Sequence, residues 1–282
     1  MRCVHSLVAV AQEDEFFLLA LGQIKNHDEY TYNHCVNVCT YALALGRRLQ
    51  LNRRLLGRLG LAALFHDVGK TRVPSEVLSK AGKLDDREWA FIRQHPIAAV
   101  GCLARCPGDA ETLALCARVA LEHHRGVDGS GYGGVGDNPP HLFSRIVMIA
   151  DIYDALTTPR VYRPEPWAPV AVFHKMIKGE LGALDKRLLA LFIQQMGVFP
   201  AGSIVKLDDG SEAMVCRSSR HRDTLDRPVV RPLHEGRPPT LAEETIDLAE
   251  EAGSDGRRVV NIVSPQVYFE TSQEYLKAIE AL

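Results

Sequence analysis

The sequence predicts a mainly α-helical bundle followed by a small C-terminal β-rich unit. Three observations predict it: apolar residues recur every three and four positions from about residue 8 to 196, β-branched alternation is nearly absent there, and the character changes around Phe199-Pro200. In chain order, helices are predicted near 8–24, 32–50, 54–66, 110–124, 142–157, 169–178 and 185–196. Asp85, with Glu88 three residues on, forms a capping-box pattern before a helix carrying Trp89, Phe91 and Ile92. Pro96 suits the first turn of the following helix, which puts a break at His95. RGVDGSGYGGVGDNPP (125–140) is too rich in Gly and Pro for a helix and predicts a long loop after His123-His124. Beyond residue 200, SIVKLDDGSEAMVCR alternates around a DG turn, and RPVVRPL and RRVVNIV are β-like. The charged stretch 234–258 is expected as a solvated loop and 271–281 as a closing helix. The expected division is 1–198 and 199–282.

Composition narrows the function classes. The chain has 282 residues, 46% hydrophobic and 24% charged, with a net charge of -2, which describes a globular protein without the basic field that long nucleic acids require. DNA and RNA polymers are therefore not expected partners. Seven cysteines occur without a C-x-x-C pair, so they read as reduced core residues and not as a disulfide framework or zinc knuckle. No apolar run reaches the roughly 18 residues of a membrane span and no signal peptide is evident, which predicts a cytoplasmic protein. The segment ahead of Tyr30 is expected to hold little more than one helix, with no receiver, PAS or membrane sensory module.

The residues that carry chemistry gather at helix ends. His66 and Asp67 close the apolar helix LLGRLGLAALF, and Gly69 lets the chain turn away. Neighbours on a regular helix point about 100° apart, so the pair can face one ion only where the helix frays. Read alone, an HD dipeptide is a capped or solvated helix end. Its company changes that: His34 on a helix, His95 at a break, His123 and His124 at another helix end, and Asp151 in IADIYDAL. Several helices aiming imidazole and carboxylate at one point is how bundles build dinuclear sites. A His/Asp set without thiolates suits Fe, Mn or Zn.

The ordered series YTYNHCVNV, HDVGK, RQHPIAAVG, HHRGVDGSGYGG and IADIYDALTTPRVYR resembles the HD-GYP subgroup of the HD phosphohydrolases, whose members degrade cyclic di-GMP. The resemblance covers about residues 25–195, and FPAGSIVKLDDG with RPVVRPL resembles a tail found after some of these domains. It implies that His34, His66, Asp67, His95, His123, His124 and Asp151 are metal ligands, with Asp67 bridging two divalent ions, Fe or Mn first and Zn, Ni or Mg as alternatives. Such a pair activates water and neutralises phosphoryl oxygens during in-line displacement. The resemblance also implies catalytic roles for Asp67 and Lys70, and substrate contacts from Lys70, Arg160, Arg163 and Tyr132. Asp154, one turn beyond Asp151, is expected to accept a hydrogen bond from a ligand and so orient it. A GGDEF-type protein and a second copy of the chain are candidate partners.

Departures from the family pattern carry their own expectations. Tyr30 stands four residues before His34, where members with a third metal have Glu, and Glu29 is turned about a hundred degrees away, so two metals are expected. Arg125 replaces the Glu of the usual HHE, putting a cation where an acceptor stands, at a cost to metal affinity or rate. Gly133 replaces the Pro of Gly-Tyr-Pro, predicting a more mobile loop. Pro159 and Val161 alter the flanks of Arg160. The leading expectation is a phosphodiesterase opening cyclic di-GMP to linear pGpG and on to GMP. The alternatives are a non-catalytic nucleotide receptor or interaction module, and an HD phosphohydrolase acting on cyclic GMP-AMP or another nucleotide.

Overall fold

The computed structural model describes residues 30–80, 82–134, 136–158, 165–219, 224, 226–234, 240–251 and 256–263. The helices predicted at 8–24 and 271–281, residues 159–164 with Arg160 and Arg163, and the side chain of Tyr30 lie outside these. Two compact units divide the chain, with the boundary in the described part between Leu189 and Ala190.

The first unit is helical: α1 (Tyr30–Arg48), α2 (Arg53–Leu64), a 3-10 turn (Val68–Arg72), α3 (Ser75–Leu78), α4 (Asp86–Arg93), α5 (His95–Leu103), α6 (Ala110–Glu122), α7 (Leu142–Thr157) and α8 (Pro169–Lys178), with α9 (Lys186–Met196) reaching the boundary. Local chemistry sets the starts. Asn52 accepts from Leu55 N at 3.0 Å, Asp109 accepts from Thr112 N at 2.9 Å, and Asp85 and Glu88 form the expected capping box. Pro96 sits in the first turn of α5, and Gln94 is all that separates α4 from α5. The 3-10 turn and α3 are absent from the periodicity because each is too short to show one.

α1 packs on α2 and α7, α2 also on α6, α5 on α6 and on the 3-10 turn, and α7 also on α6 and α8. Leu43, Leu56, Leu59, Ala62, Ala99, Val119, Ile146 and Ile149 fill the interior between them. Each buried large aliphatic side chain contributes roughly 1.5–3 kcal/mol. Tyr41 meets Tyr153 edge-on at 5.3 Å, which locks α1 against α7. This packing gathers the N-terminal part of α1, the end of α2, the start of α5, the end of α6 and the middle of α7.

In the second unit the antiparallel sheet runs β4-β3-β2-β1-β6, with β5 also pairing β3. The strands are β1 (Ile204–Leu207), β2 (Glu212–Arg217), β3 (Val229–His234), β4 (Thr240–Leu241), β5 (Ile246–Asp247) and β6 (Val259–Val263). The DG turn closes β1 onto β2, with Leu207 N donating to Ser211 O at 2.8 Å. Val205, Leu207, Ala213, Val215, Val230 and Leu248 form the core. The stretch 234–258 is therefore not simply a solvated loop: it carries β4 and β5, and Leu248 is fully buried because apolar Ile246 and Leu248 alternate beside β3. Among the described residues, no helix is long and apolar enough to cross a membrane.

Candidate metal centre

α2 stops at Leu64, with Phe65 as its C-cap, so His66 and Asp67 lie just past the last helical residue and escape the 100° divergence of a regular helix. The 3-10 turn beginning at Val68 then packs on α5. Gly69 allows that contact: a Cβ on it would stand 1.9 Å from His95 O and 2.6 Å from Ala99 N. Any side chain there would push His95 away from Asp67.

The seven predicted residues come together as two groups. Asp67, His95, His123 and His124 form one, and His34, His66 and Asp151 the other, with the donor atoms of each within 4.8 Å of one another. Asp67 divides its oxygens between them. Its Oδ1 faces Nε2 of His95 at 3.3 Å and of His123 at 3.8 Å, while its Oδ2 faces Nε2 of His66 at 3.3 Å and of His34 at 3.7 Å. Asp151 directs Oδ1 to His34 Nε2 at 3.1 Å and Oδ2 towards His124 Nδ1 at 3.9 Å.

Outer partners fix the rings. His66, His95 and His123 each donate from Nδ1 to the carbonyl three residues back, Ala63, Ile92 and Ala120, at 2.7, 2.7 and 2.8 Å. His34 Nδ1 meets Asp154 Oδ2 at 2.7 Å. Asp154, fully buried, also accepts from Asn37 Nδ2 at 2.9 Å and Thr158 Oγ1 at 2.9 Å, so it stands where the sequence expected it, behind a candidate ligand. With Nδ1 donating, Nε2 of His95 and of His123 is the lone-pair nitrogen of a neutral ring.

Electrostatics sharpen the picture. Burial, with His124 and His66 nearby, keeps His123 well below the usual imidazole range. Burial brings His124 down to about 4 against the pull of Asp151, and burial likewise lowers His95. Burial opposes charge on His34 too, yet Asp151 and Asp154 push it up to about 9, which shows how strongly these carboxylates attract a cation. Burial would raise Asp67, but Lys70 and His66 hold its carboxyl well below the carboxylate range. Burial and Asp67 push the neighbouring Cys35 thiol up to about 12, so it offers no thiolate.

These atoms fit metal ions. His95 Nε2 and His123 Nε2 lie 3.3 Å apart, two neutral lone pairs facing each other beside a carboxylate oxygen. Among the described residues, the buried His66 Nε2 and Asp67 Oδ1 find no hydrogen-bond donor. Convergent acceptors without a donor are unfavourable unless a cation sits among them. The donor set, imidazole and carboxylate, is that of borderline and hard ions.

Lys70 Nζ reaches Asp67 Oδ2 at 2.5 Å and is part exposed, at the edge of the centre. Tyr132 stacks on His124 and stands edge-on to His95, with burial raising its phenol above the ordinary value. The Arg125 guanidinium donates to Gly136 O within the loop. Gly133 has φ +76, a value closed to proline, and a Cβ there would stand 2.3 Å from Leu121 O. Gly134 N donates to Leu121 O at 2.8 Å, Tyr132 N to His124 O at 3.3 Å, and Arg125 forms a β-bridge with Gly131, so this part of the loop is tied back to the end of α6.

Two residues escaped the sequence reading. Glu122, buried at the end of α6, accepts from His141 N, Ser144 Oγ and Arg118 Nε at 2.8, 2.8 and 2.9 Å. It pins the start of α7 to α6 and so sets Asp151 against His123 and His124. An acid directly before a His pair at the end of an apolar helix was the available signal. Arg93, at the end of α4 and over the Trp89 ring, carries a charge that reaches Tyr132.

A model of the HD domain family matches residues 21–185. This chain belongs to the HD domain family. The five ordered motifs of the sequence all lie within this match. A cyclic di-GMP phosphodiesterase of Pseudomonas aeruginosa is 34% identical over 240 residues, covering 84% of this chain and 56% of that protein. A 3'3'-cGAMP-specific phosphodiesterase of Vibrio cholerae is 36% identical over 151 residues, 53% of this chain and 32% of that one. The chain thus spans about half or less of the length of these relatives. A solved structure of an HDG"Y"P protein from Bdellovibrio bacteriovorus shares the fold, with a TM-score of 0.56 at 20% identity over 67% of this chain and 60% of the other.

Proposed function

We propose that this HD domain protein is a cytoplasmic phosphodiesterase holding two divalent ions, Fe or Mn, and hydrolysing a cyclic dinucleotide, cyclic di-GMP first, to the linear dinucleotide. The observation that carries the reading is the split of Asp67, one oxygen towards each group of imidazoles. In this reading His95, His123 and His124 hold one ion, His34, His66 and Asp151 the other, and Asp67 both. The phosphohydrolase domain is taken as 1–198 and the β-rich extension as 199–282.

When bound, the ions supply positive charge to the phosphoryl oxygens and lower the pKa of water. The protein's own part is placement. Asp154 and the backbone carbonyls of Ala63, Ile92 and Ala120 hold the rings in one tautomer with Nε2 inward. Lys70 offers an ammonium group at the centre's exposed edge, where an anionic substrate oxygen can take hydrogen bonds that now go to Asp67. Arg160 and Arg163, outside the described residues, are proposed as further contacts to substrate. The substrate assignment draws support from the Pseudomonas aeruginosa relative, which covers most of the chain.

Protein reconstituted with Mn or Fe(II) is expected to convert cyclic di-GMP to pGpG, read by chromatography beside 3'3'-cGAMP. Faster turnover of 3'3'-cGAMP would reassign the substrate. Nucleotide binding with no product from any cyclic dinucleotide would make the protein a receptor.

A further inference from the structure

Four of the five imidazoles in the centre are held from behind by a hydrogen bond at Nδ1: His34 by Asp154, His66 by Ala63 O, His95 by Ile92 O and His123 by Ala120 O. His124 is different. Its Nδ1 faces inward, 3.9 Å from Asp151 Oδ2, and among the described residues no hydrogen bond holds its ring. It is also the most exposed of the five, and as the residue after the C-cap of α6 it lacks the helical backbone that fixes its neighbour.

What it has is Tyr132. The two rings stack with centroids 4.5 Å apart and planes 29° from parallel, while His123 lies against His124 at 4.0 Å and Tyr132 meets His95 edge-on at 6.2 Å. We infer that Tyr132 is a positioning residue for the metal centre, its ring taking the place of the outer hydrogen bond that His124 lacks. The inference rests on reading His124 as a metal ligand, and it gives Tyr132 a role in ring support because one face of its ring is laid on His124.

The loop is built for this task. After α6 the chain turns through residues 125–130 and returns antiparallel over its own start, with Gly126 N donating to Ser130 O at 2.8 Å and Arg125 bridging Gly131. Tyr132 N then donates to the carbonyl of the histidine its ring covers. Gly131 and Gly133, at φ +89 and +76, flank it, and a Cβ on either would come within 2.3 Å of a carbonyl oxygen of His124 or Leu121. Only without those side chains can the backbone lie close enough to lay the phenol ring on His124.

The test compares wild type, Tyr132→Leu and Tyr132→Phe by competitive Mn titration and by the visible spectrum of the Co(II)-substituted protein, beside KM for cyclic di-GMP. Tyr132→Leu keeps bulk but not the planar stack, and is expected to weaken one of two bound ions about tenfold and to alter the Co(II) spectrum. Tyr132→Phe keeps the stack and is expected to stay within about twofold of wild type. If Tyr132→Leu binds metal like wild type and only raises KM, Tyr132 is a substrate contact and the inference is overturned. If Tyr132→Phe loses as much metal as Tyr132→Leu, the hydroxyl and not the stack does the work, which also overturns it. A wild-type protein that takes up no metal defeats the metal-centre reading itself, a result visible before any variant is made.

Discussion

Asp67→Ala is expected to abolish turnover, lowering kcat/KM by at least on the order of 10³-fold, and to leave the protein folded but unable to hold its ions. The reason is geometric. Asp67 is the carboxylate with one oxygen 3.3 Å from His95 and the other 3.3 Å from His66, so its removal takes a ligand from both groups at once. It also removes the anion that balances the Lys70 ammonium, whose charge would then repel a cation. Metal bound to the native state stabilises by mass action, roughly 4 kcal/mol at a thousand times the dissociation constant. Wild type should therefore gain thermal stability when Mn is added and Asp67→Ala should not. Equal metal-dependent shifts in the two proteins, or retained turnover, would remove Asp67 from the bridging role.

Asp154→Ala is expected to act from one layer out, on affinity and stability together. The carboxylate is fully buried and accepts from His34, Asn37 and Thr158. Truncation leaves three buried donors without their acceptor, each costing about 1–3 kcal/mol, and frees the His34 ring to rotate. Loss of an outer partner of a ligand commonly costs 10–100-fold in metal affinity. Chemical denaturation and metal titration read the two effects separately. Asp154→Asn keeps the shape, and a favourable amide orientation preserves an acceptor for His34, so it should recover stability more fully than metal affinity. If Asp154→Ala binds metal like wild type, the outer partner is dispensable and His34 is held by its packing on α1 alone.

Much of this was legible in the sequence because ligands attached to helices announce themselves through helix periodicity and helix ends. His34 on α1 and Asp151 with Asp154 one turn on α7 could be placed from apolar spacing, and His95 to within one residue, since the break expected at His95 falls at Gln94 and His95 opens α5. The capping box at Asp85 was equally visible, since its two hydrogen bonds join residues three apart. What stayed hidden depends on contacts between distant residues. Nothing local shows that Asp67 splits its oxygens, that Glu122 reaches across to His141, or that Arg125 donates to Gly136. Nor does anything local show that the carbonyl of Leu121 lies 2.3 Å from where a Cβ on Gly133 would stand. β4 and β5, two residues each, are too short to show alternation and are defined only by their pairing with β3.

The claim on which the rest depends is that these seven side chains hold metal as a pair. The direct measurement is the metal-to-protein ratio of wild-type protein after anaerobic reconstitution with Fe(II) or Mn and removal of loosely bound ions, by elemental mass spectrometry. Two ions per chain are predicted, from the two groups of ligands that Asp67 joins. A ratio near zero, or two ions that persist when Asp67 is replaced, would contradict it.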